Sequence, residues 1–172
     1  MLILTASRVP PATDLPAGYR LRRMAVTDIP ALGALYFAAY DPGDAAASVE
    51  EALGDIEASF AGDYGELWLA ASPVITVADE VVAASMVVRQ ASWPGAPPGP
   101  FVIEVFTDRA HRRRGLGRAM LSAAMRVALA EGEGSIGLQV NRDNAGARSL
   151  YRELGFSEPA MSVAGADQNQ ER

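Results

Sequence analysis

A basic, glycine-bearing run, Arg112-Arg113-Arg114-Gly115-Leu116-Gly117-Arg118, is the part of this chain best equipped for chemistry. The apolar stretch Phe101-Val102-Ile103-Glu104-Val105-Phe106-Thr107 stands before it and has the look of a strand. After it, Leu116, Met120, Ala123, Ala124 and Val127 recur at helical spacing. A helix start leaves backbone N–H groups without partners and carries partial positive charge. A phosphate satisfies both, provided the backbone can come close, and Gly115 and Gly117 lack the Cβ atoms that would block it. Arg112, Arg113, Arg114 and Arg118 add guanidinium forks suited to phosphate oxygens. No Gly-Lys-Ser/Thr follows, so the run is not a P-loop, and the third glycine of a dinucleotide-binding turn is absent. Taken by itself, the run reads equally as an anion site and as a solvated arginine rim or small nucleic-acid patch.

Composition narrows these options. The chain has 172 residues and 49% apolar content, enough for one domain with a single core. A formal charge of −6 disfavours generic binding to nucleic acid or anionic membranes and matches cationic or amine substrates better. Cysteine is absent and His111 is the single histidine. Disulfides, thiolate zinc sites and a cysteine nucleophile are therefore excluded, and no metal site is expected. The opening MLILTASRVPP lacks a basic n-region, and no apolar run approaches the roughly 20 residues of a membrane span. A soluble, cytoplasmic protein is the expectation.

The elements that must position the basic turn alternate along the chain. Residues 1–18 hold three prolines and read as an extended or loosely packed arm; residues 164–172 (AGADQNQER) read as a polar, fraying tail. Between them, residues 19–163 form one expected domain. Tyr19–Arg22 alternates as a strand does, and Thr27-Asp28 opens a helix with Pro30 in its first turn and Leu32, Leu35 and Tyr36 along one side. A second helix is expected over residues 46–60, with Val49, Leu53, Ile56 and Phe60 on one face. Val74–Val77 and Val81–Val88 form a hairpin turning at Asp79-Glu80. The strand over residues 101–107, the basic turn, its helix closed by Gly132, and a short strand over residues 135–140 follow. Ala147, Leu150, Tyr151 and Leu154 mark the last helix, capped by Gly155, and Met161–Val163 allows one more strand. The order β-α-α-β-β-β-α-β-α(-β) describes an α/β (α+β) protein, with helices flanking a mixed central β-sheet.

The segment Thr107–Gly117 (TDRAHRRRGLG), between strand and helix, resembles motif A of the GNAT family, the GCN5-related N-acetyltransferases. Its Arg/Gln-x-x-Gly-x-Gly/Ala pattern is met by Arg112, Gly115 and Gly117. Asn144–Phe156 (NAGARSLYRELGF) resembles motif B of the same family, Asn-x-x-Ala-x-x-Leu-Tyr-x-x-x-Gly-Phe, at every named position. The two motifs stand in the family's order and about its distance apart. The resemblance covers residues 101–156 closely, and residues 19–90 in element order only.

The resemblance implies a GNAT fold and an enzyme that takes an acetyl group from acetyl-CoA and passes it directly to an amine. On that reading the backbone of Val105, Phe106 and Thr107 holds the pantetheine arm. The turn Arg112, Arg113, Arg114, Gly115, Leu116, Gly117 and Arg118 holds the pyrophosphate, and Asn144 contacts the cofactor, although an Asn there also suits a helix N-cap. Tyr151 matches the tyrosine that returns a proton to the departing thiolate, and equally fits a core aromatic on its helix face. Glu104 is the nearest candidate base; alternation leaves its sheet face open, and a strand glutamate more often faces solvent. Members that acetylate ribosomal-protein N-termini carry a glutamate on the strand before motif B, where this chain has Gln139, which argues against their mechanism and substrate. His111, by its place, reads as a surface imidazole. The family's usual pair of terminal strands is not evident after Phe156. The expected partners are a small-molecule or peptide amine and, as in many family members, a second copy of the chain in a homodimer, with no nucleic acid and no membrane. The rival reading is a non-catalytic GNAT-fold module that binds acyl-CoA or a partner.

Overall fold

The computed structural model describes residues 1–41 and 45–159. Six strands form one sheet: β1 (Leu2–Ala6), β2 (Tyr19–Arg23), β3 (Pro73–Val77), β4 (Glu80–Val88), β5 (Phe101–Thr107) and β6 (Ile136–Val140). Their order across the sheet is β1-β6-β5-β4-β3-β2. The described residues also form four α-helices: α1 (Ile29–Ala39), α2 (Val49–Ala61), α3 (Leu116–Ala130) and α4 (Ala145–Glu153). From β2 onward the element order is the one the sequence leads to, and among the described residues the only parallel pair is β5 with β6.

Two apolar clusters show how the helices divide the sheet. Leu32, Leu35, Tyr36, Ala52 and Ile56 of α1 and α2 pack against Val74, Ala84, Met86 and Phe106 on one face. On the other, Leu121, Ala124, Met125 and Ala128 of α3 pack with Val87, Val102 and Leu138. Helix α3 is buried well around its circumference, because Leu116, Ala119 and Met120 also meet Ile75, Val82 and Ala83. Each such fully buried aliphatic side chain stabilises the fold by roughly 1.5–3 kcal/mol.

The loosely packed arm expected over residues 1–18 needs correction. Its first part is β1, paired antiparallel with β6 from Leu2↔Val140 to Ala6↔Ile136. Leu2, Leu4 and Ala6 are buried, while Ile3 and Thr5 are only half-buried. That period of two was eclipsed by the prolines that follow. Beyond β1, Thr5 and Ser157 exchange backbone hydrogen bonds of 2.8 and 3.0 Å, so the chain after Phe156 lies along the outer side of the same strand. An N-terminal strand thus occupies the sheet edge where terminal strands were sought in the sequence. The candidate strand Met161–Val163 and the tail at residues 164–172 lie outside the described residues. The hairpin also turns one residue earlier than expected: Ala78 and Asp79 take φ of 48° and 67°, the left-handed pair that suits a two-residue connection.

Two features of β5 prepare the site. The first is a bulge. Met86 pairs with Glu104 and Val87 with Val102, which leaves Ile103 as the extra residue. Counting by twos from Val102 would place Glu104 on the α3 face; the bulge returns it to the α1/α2 face, beside Phe106 and Ile103. The second is a split. β5 pairs with β6 only at Phe101↔Gly137 and Val102↔Leu138, after which the strands part. At this narrow end a Cβ on Gly137 would lie 2.8 Å from Cδ2 of Phe101, so only glycine allows the approach.

Candidate active site

The split between β5 and β6 opens a cleft of about 990 Å³. Val105, Phe106 and Thr107 line one side, the turn His111–Arg113 with Gly115–Arg118 another, and Asn144, Leu150 and Tyr151 the third. The backbone of β5 offers free groups here. Asp108 N–H donates to the Val82 carbonyl at 2.9 Å, which sets the parity of the β4–β5 ladder. Phe106 and Glu104 therefore direct their backbone groups to β4, whereas Val105 and Thr107 direct theirs into the split. Phe106, expected with Val105 and Thr107 as a backbone contact, instead buries its ring against Tyr36 at a centroid distance of 5.3 Å.

The helix starts differ: α1 continues a 3₁₀ turn (Val26–Asp28), with Pro30 in its first turn and no side-chain cap, whereas α2 and α4 are capped by side chains. The Glu51 N–H on α2 donates to Ser48 Oγ at 3.2 Å, and the Ala147 N–H on α4 donates to Asn144 Oδ1 at 3.0 Å. Helix α3 has Gly115 at its cap position and no side-chain acceptor. Gly115 sits at φ +79°, a conformation that favours glycine, and a Cβ built there meets nothing within 4 Å. The opening amides of a 15-residue helix thus face a cleft without a protein acceptor. Helix polarity adds positive potential at the same place, so the arrangement suits a diphosphate.

The arginines are not a single clamp. Arg112 donates through Nη2 to the Ala39 carbonyl and, at 3.4 Å, through Nε to the Thr107 carbonyl. Arg109 donates to the Ala38 carbonyl at 3.2 Å and pairs with Asp41 at 2.6 Å. Together they tie the negative end of α1 to the turn. Arg118 is ion-paired with Glu153, joining α3 to α4. Arg114 is exposed and is not among the cleft-lining residues, contrary to its expected place at the phosphates. Arg113, at φ 62°, lines the cleft and has no ion-pair partner among the described residues. Two of the run's four arginines, Arg112 and Arg118, are thus engaged within the protein. His111 lines the cleft and its Nδ1 lies 2.8 Å from the Tyr19 hydroxyl, so it joins β2 to the turn rather than standing free. Asn144 is a helix cap, with its Oδ1 engaged, and lies on the cleft wall.

Glu104 is not solvent-facing. Its carboxylate accepts from the Tyr36 hydroxyl at 3.3 Å and from the Tyr40 hydroxyl at 3.0 Å. Burial pushes its carboxyl above the usual carboxylate range, the two tyrosine bonds pull it back in part, and the Asp55 charge pushes it further up. Burial also raises the phenols of Tyr36, Tyr40 and Tyr151, with the Glu104 charge adding to each. Tyr151 therefore stays a proton donor at neutral pH while sharing a field with Glu104. Gln139, where a base was sought and not found, is exposed on β6 opposite Ile3.

Sequence reasoning missed a second cavity. Tyr36, Asp55, Ile56, Ser59, Tyr64, Trp93, Ile103 and Glu104 enclose about 170 Å³ on the α1/α2 face. Glu104 lies between the two spaces, bonded to Tyr36 of the small cavity and to Tyr40 of the large cleft. Tyr36 and Tyr40, one helical turn apart, were the available signal; nothing in the spacing of Asp55, Tyr64 and Trp93 brings them together before the sheet is assembled.

A family model described as the acetyltransferase (GNAT) family matches residues 32–156. The chain belongs to the GNAT family. A mycothiol acetyltransferase of Beutenbergia cavernae is 32% identical over 155 residues, which is 87% of this chain and 49% of that protein. The chain thus spans about half the length of that curated relative. A GCN5-related N-acetyltransferase from Sphaerobacter thermophilus superposes with a TM-score of 0.67 at 19% identity, over 91% of this chain and 47% of that one. The aminoglycoside N-acetyltransferase AAC(6')-Iy, in complex with CoA, does so with 0.62 at 18% identity, over 90% and 95%. At such identities the structural likenesses speak for the fold, which is the GNAT fold.

Proposed function

We propose that this GNAT domain transfers an acetyl group from acetyl-CoA to an amine. The observation that carries the reading is the start of α3 without a side-chain cap, opening on the same cleft as Tyr151 and adjoining the half-buried Glu104. The residues fit the cofactor: free amides meet the pyrophosphate, and the outward backbone groups of Val105 and Thr107 meet the amides of the pantetheine arm. When bound, acetyl-CoA supplies an acyl group activated as a thioester.

The protein's own groups divide the rest of the work. Glu104, raised by burial toward neutrality, takes the proton that an alkylammonium must lose, directly or through one water. Tyr36 and Tyr40 hold its carboxylate in place. The Val105 N–H, beside Glu104 and turned into the split, is the donor best placed for charge developing on the thioester oxygen. Tyr151 gives its phenolic proton to the sulfur as the C–S bond breaks and the C–N bond forms. Nitrogen loses two protons in going from ammonium to amide: Glu104 takes the first before attack and passes it to solvent, and the second, lost once the C–N bond has formed, restores the Tyr151 phenol that protonated the sulfur. A module that only binds acyl-CoA has no need of a half-buried carboxylate held by two tyrosine hydroxyls.

Thiol release from acetyl-CoA in the presence of an amine panel tests the reading. Release that depends on amine and is lost in Glu104→Gln is expected; amine-dependent release at the wild-type rate in that variant would remove Glu104 as the base.

A further inference from the structure

Resting on acetyl transfer to an amine, we infer that the acceptor is a small diamine whose second ammonium is held by Asp55. The cavity beyond Glu104 carries the argument. Its volume of about 170 Å³ suits a body of about six non-hydrogen atoms, since a dry cavity of about 150 Å³ holds benzene. Two carboxylates, Glu104 and Asp55, line it, and no arginine or histidine does. Among the described residues neither carboxylate is in an ion pair. The Asp55 charge acts on Glu104 in the same direction as burial, as the smallest of the influences on it.

A monoamine leaves this imbalance half corrected. Its one nitrogen must reach the thioester beside Glu104 and lose its charge there, which leaves Asp55 facing an apolar body. A diamine satisfies both ends. One nitrogen gives up a first proton to Glu104 and forms the new C–N bond; the C–S bond breaks as Tyr151 protonates the sulfur, and the second proton lost by that nitrogen restores the phenol. The other nitrogen stays protonated against Asp55. The walls agree with a cation: Tyr36, Tyr64 and Trp93 line the space, and aromatic rings attract an ammonium. Ile56 and Ile103 accommodate the methylenes. Ser59 donates its hydroxyl to the Asp55 carbonyl, so it offers the ligand an acceptor oxygen rather than a competing donor.

The test compares propane-1,3-diamine, butane-1,4-diamine and pentane-1,5-diamine with butylamine and 2-phenylethylamine, following thiol release from acetyl-CoA. The chain has no lysine, so self-acetylation at lysine does not blur the signal. The best diamine is expected to exceed butylamine in kcat/KM by roughly tenfold or more, the scale of a charge-assisted contact. In Asp55→Asn that ratio falls toward one, and Asp55→Glu restores part of it. In parallel, calorimetry with butane-1,4-diamine and CoA-loaded protein should show binding that Asp55→Asn weakens, with thermal unfolding confirming that the variant folds. Butylamine or 2-phenylethylamine equalling the diamines, or a ratio indifferent to Asp55→Asn, overturns the diamine assignment and leaves acetyl transfer standing. Diamine binding without thiol release from any amine supports the pocket and overturns the transfer reaction.

Discussion

The two spaces that meet at Glu104 are built by opposite means. The large cleft is made mainly of backbone: outward groups of Val105 and Thr107, the uncapped amides opening α3, and a left-handed Gly115. The small cavity is made of side chains drawn from α1, α2, β5 and the segments around Tyr64 and Trp93. A backbone site requires a local pattern, namely strand, glycines at fixed spacing, and helix. A side-chain site requires only that the finished fold bring a few groups together. The first kind holds a ligand shared across a family, and the second can vary without disturbing the frame.

Breaking the backbone half should have the largest effect. Gly117→Glu adds a negative charge at the amides, and its Cβ meets the protein only at ordinary van der Waals distance, 3.5 Å from Cδ2 of Leu150. CoA binding by calorimetry should fall by about a hundredfold or more, with an unchanged unfolding transition. Equal affinity would mean that the turn is not the phosphate site.

Next in size is the junction. Glu104→Gln should lower kcat/KM by about a hundredfold, in line with loss of a positioned base, and leave CoA affinity in place. The wild-type rate should rise with pH through an apparent pKa above the ordinary carboxylate range, and that limb should vanish in the variant. Stability runs the other way. A carboxyl raised by folding contributes its stability at low pH and loses it as pH rises through the folded value, so Glu104→Gln should unfold at or above the wild-type temperature at neutral pH. A variant that loses both activity and stability would make Glu104 a structural group.

Tyr151→Phe should be milder, lowering kcat by about tenfold with CoA affinity unchanged, as fits an acid whose work falls on the leaving sulfur. An unaltered kcat would reduce Tyr151 to the core aromatic that its contact with Phe156, at 6.0 Å between ring centroids, also describes.

The smallest effect lies away from both spaces. Asp28 is buried, accepts two hydrogen bonds from Arg22 at 2.7 and 2.8 Å, and is held below its ordinary range mainly by that partner. Asp28→Asn should cost about 1 kcal/mol at neutral pH, discounted because Arg22 is 43% exposed. A lowered carboxylate stabilises above its unfolded value and loses that as pH falls through its folded one. The difference between variant and wild type should therefore close in acid. Neither substrate should notice the change.

Legibility in the sequence followed the same division. The strand, turn and helix around Gly115 and the helix from Ala145 to Glu153 could be read from spacing, because their chemistry is local. Asn144 was open between cap and contact, and its cap role is now visible. Arg112 and Arg118 carried charge in the sequence but not their partners, since Ala39 and Glu153 are distant in the chain. Glu104 could not be oriented by alternation, because the bulge at Ile103 changes the count. Leu2–Ala6 alternates in burial but not in residue type, since Leu2, Ile3 and Leu4 are all apolar, and its partner β6 lies far along the chain.

The central claim is that the free amides of one helix start, and not helix starts in general, hold the cofactor's pyrophosphate. Backbone amide NMR during titration with CoA tests it most directly. The amides of Leu116, Gly117 and Arg118 should shift strongly, with those of Val105 and Thr107 following, while the capped start of α2 at Glu50 and Glu51 stays still. Saturable CoA binding that leaves Leu116–Arg118 unmoved would contradict the account.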